Sequence, residues 1–329
     1  MRFVKLPQYS YYQDLPKGHF VSPMDSLTST TQIKDSVRTL LTGAIDYAGL
    51  FPPAGLPMSE AVINYAMYRN SNYSWMLGRF VLSVAQLEGF IESADEFIAR
   101  DGRGAPWRLS VLASEDIIET LHQVRDFNGR HAPGVVIDSI EVRANTISKI
   151  ENTVASLPAG IEAYFELGLG SNFADLVAKL SETGHFAKIR TGGVVPEAFP
   201  GTRDVIRFVR TCAAANIPFK ATAGLHHPIR CYRPLTYENK APKGTMHGFL
   251  NLFMMVGFAR ESYRSVLLED VMEDEFDEVF RFENQAASWR DDYRLTIGQI
   301  ARLRKNGIHS FGSCSFDEPI ADLQKLGIL

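Results

Sequence analysis

Two lysines sit in short apolar runs, Lys188 in FAKIRTGG and Lys220 in FKATAGLHHP. An uncharged lysine amine, shielded from water, can attack a carbonyl carbon and form an imine. Side chains alternate across a strand. As strands, the first run puts Lys188 and Arg190 on one face, opposite Ala187 and Ile189. The second puts Lys220 and Thr222 opposite Phe219, Ala221 and Ala223. The preceding run, IEAYFEL, puts Glu162, Tyr164 and Glu166 opposite Ile161, Ala163, Phe165 and Leu167. The apolar faces must pack on helices, so the charged faces are expected to meet in one interior. A buried lysine is costly to keep charged without a partner, and the glutamates supply the opposite sign. The plainer alternative is a structural ion-pair network that fills the interior and does no chemistry.

The elements that must position these residues follow from periodicity. A helix-like run, DVIRFVRTCAAANI, lies between the two lysine strands, and strand–helix–strand is the parallel crossover unit. The same alternation runs along the chain. Strand-like RFVLSVA (79–85), WRLSVLA (107–113), VVIDSIEV (135–142) and IEAYFEL (161–167) are each followed by a helical pattern, and IHSFGSCSF (308–316) closes the series. This predicts a single (β/α)8 barrel over 43–329, preceded by an N-terminal extension and helix over 1–42. Nine candidate strands compete for eight places, so either 44–51 or 279–285 is an extra piece. An open doubly wound sheet is the second choice, but no GxGxxG or Walker A sequence supports it. The segment 229–246 is long for a connection and reads as a lid or binding loop. The apolar helix HGFLNLFMMVGF reads as core or as a contact within a homo-oligomer.

The pair AKIRTGG and FKATAGL, one crossover apart, resembles the class I (Schiff-base) aldolases of the deoxyribose-phosphate aldolase type, which carry lysines in KTSTG and KASGG on successive strands. The resemblance covers about forty residues. It implies a lyase in which Lys188 is the nucleophile and Lys220 the nearby cation that lowers its pKa. Glu166, or Asp138 or Glu141 on the strand before, would shuttle protons. Arg190 stands where the family has a small residue. With the backbone of Thr191, Gly192 and Gly193, it would hold a substrate carboxylate or phosphate. The expected substrate is a small anionic or hydroxylated carbonyl compound, with Thr222 facing it and no cofactor required.

A second chemistry is a metal-dependent lyase, isomerase or hydrolase, with His226, His227 and Glu166 holding a divalent metal at the strand ends. There is no HExxH or HxH to strengthen it. Without a metal, His226 or His247 would serve as general acid/base or contact the substrate. A third reading is a non-catalytic binder of small anions. Gly312 and Ser313, after the final strand, could contact a phosphate at a helix N-terminus; a plain turn capped by Asp317 is the alternative. Asp46, inside the apolar run AIDYAGLF, either acts in the site or braces a turn. Cys314 has no sequence feature pairing it with a histidine and reads as a buried structural thiol.

Composition narrows the class. The net charge of −4, with no basic run interleaved with aromatics, gives no reason to expect a nucleic-acid partner. The three cysteines, odd in number and without a CxxC, point to free thiols in a reducing, cytoplasmic setting. The longest apolar run, at 249–259, is too short to span a bilayer. The partner expected is therefore a small molecule rather than nucleic acid or membrane.

Overall fold

The computed structural model describes residues 32–99 and 104–329. The first helix falls in the same unit as the barrel, Ile33–Leu329. The rest of the expected extension, 1–31, lies outside the described residues.

Helix α1 (Asp35–Leu41) buries Val37, Leu40 and Leu41 and stops before Gly43, whose φ of +59° suits glycine. The chain then alternates: β1 (Ile45–Tyr47), α2 (Met58–Arg69), β2 (Leu77–Ser83), α3 (Leu87–Ala94), β3 (Trp107–Leu112), α4 (Ile117–His131), β4 (Val135–Arg143), α5 (Ile147–Ser156), β5 (Glu162–Glu166), α6 (Phe173–Ser181), β6 (Phe186–Arg190), α7 (Thr202–Ala214) and β7 (Phe219–Thr222). An antiparallel hairpin, β8 (Cys231–Pro234) and β9 (Lys243–Met246), occupies the long 229–246 segment. After α8 (Phe249–Arg260) and α9 (Ser265–Glu273) comes a small antiparallel sheet, β10 (Phe280–Phe282), β11 (Ala286–Trp289) and β12 (Tyr293–Thr296). Helix α10 (Ile297–Asn306), β13 (Ile308–Ser313) and α11 (Asp317–Lys325) finish the chain.

Eight parallel strands close in the order β1-β13-β7-β6-β5-β4-β3-β2. This is the expected (β/α)8 barrel. The surplus strand is the 279–285 candidate, which pairs with β11 outside the barrel, while the 44–51 candidate supplies β1. The outer strand faces carry Ala163, Phe165, Ala187, Ile189, Phe219 and Ala221, all buried under the helices. Helix α8 is buried along nearly its whole length, from Phe249 to Phe258, as core of this chain. Among the described residues no helix is long and apolar enough to cross a membrane.

Register decides the interior. Glu166 lies opposite Lys188 between β5 and β6, and Lys188 opposite Lys220 between β6 and β7. Between β3 and β4 the register shifts after Leu109, so that Ser110 pairs with Ser139 rather than with Asp138. Strict alternation would point Asp138 and Glu141 to opposite faces. The extra residue resets the phase. Both reach interior partners, Arg79 for Asp138 and the two lysines for Glu141.

Candidate active site

Lys188 and Lys220 meet inside the barrel with a carboxylate between them. Lys188 Nζ lies 2.7 Å from Glu141 Oε2 and 2.7 Å from Glu166 Oε2. Lys220 Nζ lies 2.5 Å from Glu141 Oε1 and donates to Asp46 Oδ2 at 2.9 Å. Glu141 thus bridges both ammoniums, and Ser110 Oγ donates to it at 2.8 Å. Asp46 is completed by the hydroxyl of Ser310 at 2.8 Å and the backbone N–H of Arg79 at 2.8 Å. A Cβ at position 78 would collide with the Asp46 carboxylate, which is why glycine precedes Arg79. Below this layer Arg79 donates to Asp138 and Glu162, both at 2.6 Å.

The charges hold one another in their ionised forms. Burial works to raise the Glu141 carboxyl, but the charges of Lys188 and Lys220 and their hydrogen bonds outweigh it, and its pKa falls well below the ordinary range. Burial likewise opposes ionisation of Asp46. Lys220, Arg79 and the Arg79 N–H reverse that, and its pKa is lowered. Burial works to lower Lys220, yet Asp46 and Glu141 hold it above its usual value. Lys220 therefore meets Lys188 through Glu141, not as a bare like charge.

Above the lysines opens a cavity of about 470 Å³, lined by Lys188, Glu141, Glu166, Arg190, His226 and Cys314 among others. Lys188 and Glu166 face this space, whereas Lys220 (1% exposed) and Asp46 (1% exposed) lie beneath it and do not line it. Asp46 is thus neither a turn brace nor a direct substrate contact; it anchors Lys220. The lining also includes Arg143 and Lys149 at the ends of β4 and α5, which the strand pattern did not single out. Arg143 Nε stands 3.6 Å from Glu166 Oε1.

In the loop after β6 the backbone N–H of Thr191 is given to the Thr222 carbonyl at 2.8 Å. The Thr191 hydroxyl is buried and donates to the carbonyls of Ala223, at 2.7 Å, and Thr222, at 3.2 Å. It secures Ala223, a pocket-lining residue at φ +64°, where an L side chain costs about 1–2 kcal/mol. Gly192 does not line the cavity. A Cβ there would come within 2.6 Å of the Phe199 ring and 2.8 Å of Gly224 Cα, so this glycine permits two loops to touch. Gly193, Arg190 and Thr222 do line the cavity.

The histidines part company. His226 lines the cavity. Its Nδ1 lies 3.8 Å from Cys314 Sγ and 3.4 Å from Glu318 Oε2. Tyr237, from the β8–β9 turn, places its hydroxyl 3.7 Å from the same sulfur and donates to Glu318 at 3.0 Å. Burial works to lower His226, but its hydrogen bonds with Cys314 and Glu318 and their charges push it up to about 9. Cys314 is therefore paired with a histidine after all. The two are 88 positions apart, and only closure of β7 against β13 makes them neighbours. His227 turns away to Asp322 Oδ2 at 2.6 Å, and His247 Nε2 meets the Pro200 carbonyl at 2.9 Å; neither lines the cavity. Gly312 lines it, but Ser313 is buried, its Oγ accepting from Ser315 N. Asp317 does not cap α11; it accepts from the Tyr68 hydroxyl at 2.7 Å.

His226, His227 and Glu166 do not come together as a ligand set. Among the described residues no group of three or more His, Cys, Asp or Glu is placed to hold a metal ion. The three cysteines are free thiols.

No family model matches the chain, and no curated protein is similar to it in sequence. Among solved structures, one similar chain is described as a novel GH10 endoxylanase retrieved from a sugarcane soil metagenome. The superposition has a TM-score of 0.34 and 7% identity, covering 64% of this chain and 72% of that one.

Proposed function

We propose that the protein is a lysine Schiff-base lyase, resembling the deoxyribose-phosphate aldolase type, that acts on a small anionic or hydroxylated carbonyl compound. The observation that carries this reading is the floor of the cavity, where Lys188 Nζ lies 2.7 Å from each of two carboxylates, Glu141 and Glu166. Ammonium and iminium carry the same charge on the same nitrogen, so carboxylates that hold the one also stabilise the other.

The steps follow from which partner is open to the cavity. Glu166, with a side chain 19% exposed, takes a proton from Lys188. The free amine adds to the substrate carbonyl, and loss of water leaves an iminium between Glu141 and Glu166. The iminium draws electrons from the neighbouring carbon–carbon bond. A carboxylate then removes the hydroxyl proton as that bond breaks, and the enamine left on Lys188 is reprotonated and hydrolysed. Arg143, Lys149 and Arg190 give the cavity a cationic side that suits an anionic substrate group. The free cysteines fit a reducing, cytoplasmic setting.

The test is borohydride trapping against a pool of small aldehydes, ketones and keto acids, followed by intact mass and peptide mapping. A stable adduct on Lys188, absent in Lys188→Ala, is the expected result, and its mass names the substrate class. No adduct from the pool, or adducts confined to exposed lysines, overturns the reading. Saturable binding of the same compounds without any adduct would instead identify a small-anion binder.

A further inference from the structure

The cavity has a second group able to form a covalent bond. Cys314 follows the last residue of β13, and His226 lies four residues beyond the end of neighbouring β7. Both line the cavity, on the side of β6 away from Glu141 and Glu166. A nucleophile needs a proton-transfer partner within reach and a third group to hold that partner. Here Nδ1 of His226 stands 3.8 Å from Sγ, and Glu318 stands 3.4 Å from the same nitrogen. Tyr237 ties sulfur and carboxylate together from the hairpin. Cys212 is sealed in the core and Cys231 sits on the hairpin, and neither lines the cavity. An inert structural thiol would sit among apolar side chains, whereas this one has a titratable partner and opens on a space large enough for a ligand.

We propose that Cys314, with His226 as its proton carrier, adds to the carbonyl carbon of a small aldehyde and holds it as a thiohemiacetal. His226 is protonated, so it gives its Nδ1 proton to the carbonyl oxygen as the C=O electron pair moves there and the Sγ–C bond forms. Nδ1, now free, then takes the thiol proton, and the histidine ends as it began. The sum is thiol plus aldehyde giving one adduct, with no oxidant and no leaving group. The proposal shares the cavity with the Lys188 reading but not its chemistry, and it holds whether or not Lys188 forms an imine.

The experiment is timed alkylation with dilute iodoacetamide, mapped on all three cysteines, with Cys231 as the internal control. In the intact protein Cys314 reacts faster than Cys212. In His226→Gln its rate falls by about 10²-fold while that of Cys231 is unchanged. Glu318→Gln, which leaves the histidine in place, gives a smaller fall in the same direction and decides the matter if His226→Gln does not fold. Excess glycolaldehyde slows alkylation of Cys314 in both the wild type and Lys188→Ala. A Cys314 that never reacts while Cys231 does, or whose rate is the same in both variants, overturns the pairing. Protection that disappears in Lys188→Ala assigns the aldehyde to the imine and overturns the thiohemiacetal. Borohydride trapping on Lys188 is read separately, so each chemistry can fail alone.

Discussion

Replacing Lys220 by methionine tests the electrostatic account of the barrel interior most directly. The side chains of Lys220, Asp46 and Glu141 are 1%, 1% and 3% exposed, so water cannot replace a lost partner. Lys220→Met keeps the volume and removes the charge. It leaves Asp46 with the Ser310 hydroxyl and the Arg79 N–H, and Glu141 with Lys188 and Ser110. Breaking a buried pair by removing one member costs about 3–5 kcal/mol. The surviving hydrogen bonds place this case near about 3 kcal/mol. For the unit Ile33–Leu329 that lowers Tm by about 5 °C. Urea unfolding followed by circular dichroism gives the free energy. The double variant Asp46→Asn/Lys220→Met removes both charges and is expected to recover at least about 1.5 kcal/mol relative to the sum of the single changes. A cost below about 1 kcal/mol for Lys220→Met, or strict additivity in the double variant, would refute the claim that these charges are mutually dependent.

Two further outcomes are expected. His226, raised from 6.5 to about 9 against Glu318 on α11, Cys314 after β13 and Tyr237 of the hairpin turn, binds its proton more tightly folded than unfolded. Its contribution, about 3 kcal/mol, is complete below pH 6.5 and is lost as pH rises through about 9. Urea midpoints across that window should fall with pH in the wild type and lie flatter in His226→Gln; equal slopes would contradict the assignment. Gly192→Ala places a methyl 2.8 Å from Gly224 Cα, where backbone cannot yield as a side chain can. Thermal unfolding should show a loss of about 1–3 kcal/mol, and an unchanged Tm would mean the two loops are free to separate.

Much of the site could be read from local pattern. Alternation alone put Lys188 with Arg190, Lys220 with Thr222 and Glu162 with Glu166 on inward faces, because a strand inside a barrel must turn its apolar side to the helices. Strict alternation does not hold at β4. A one-residue bulge lets Asp138 and Glu141 both serve the interior, and no propensity in VVIDSIEV announces it. Thr191 and Gly192 follow Arg190 and so read as backbone donors to the same anion; their partners, Thr222, Ala223, Gly224 and Phe199, belong to other segments.

The sequence by itself therefore determined the repeating element, the inward faces of β5, β6 and β7 and the identity of the lysine pair, since these depend on neighbours within a few residues. Tertiary structure alone decided that 279–285 leaves the barrel, that Asp46 anchors Lys220, that Glu141 stands between the lysines, and that Cys314 meets His226. Those facts depend on closing the sheet, which brings β1 beside β13 and β13 beside β7. Closure is a property of the whole chain, so no window of the sequence contains it.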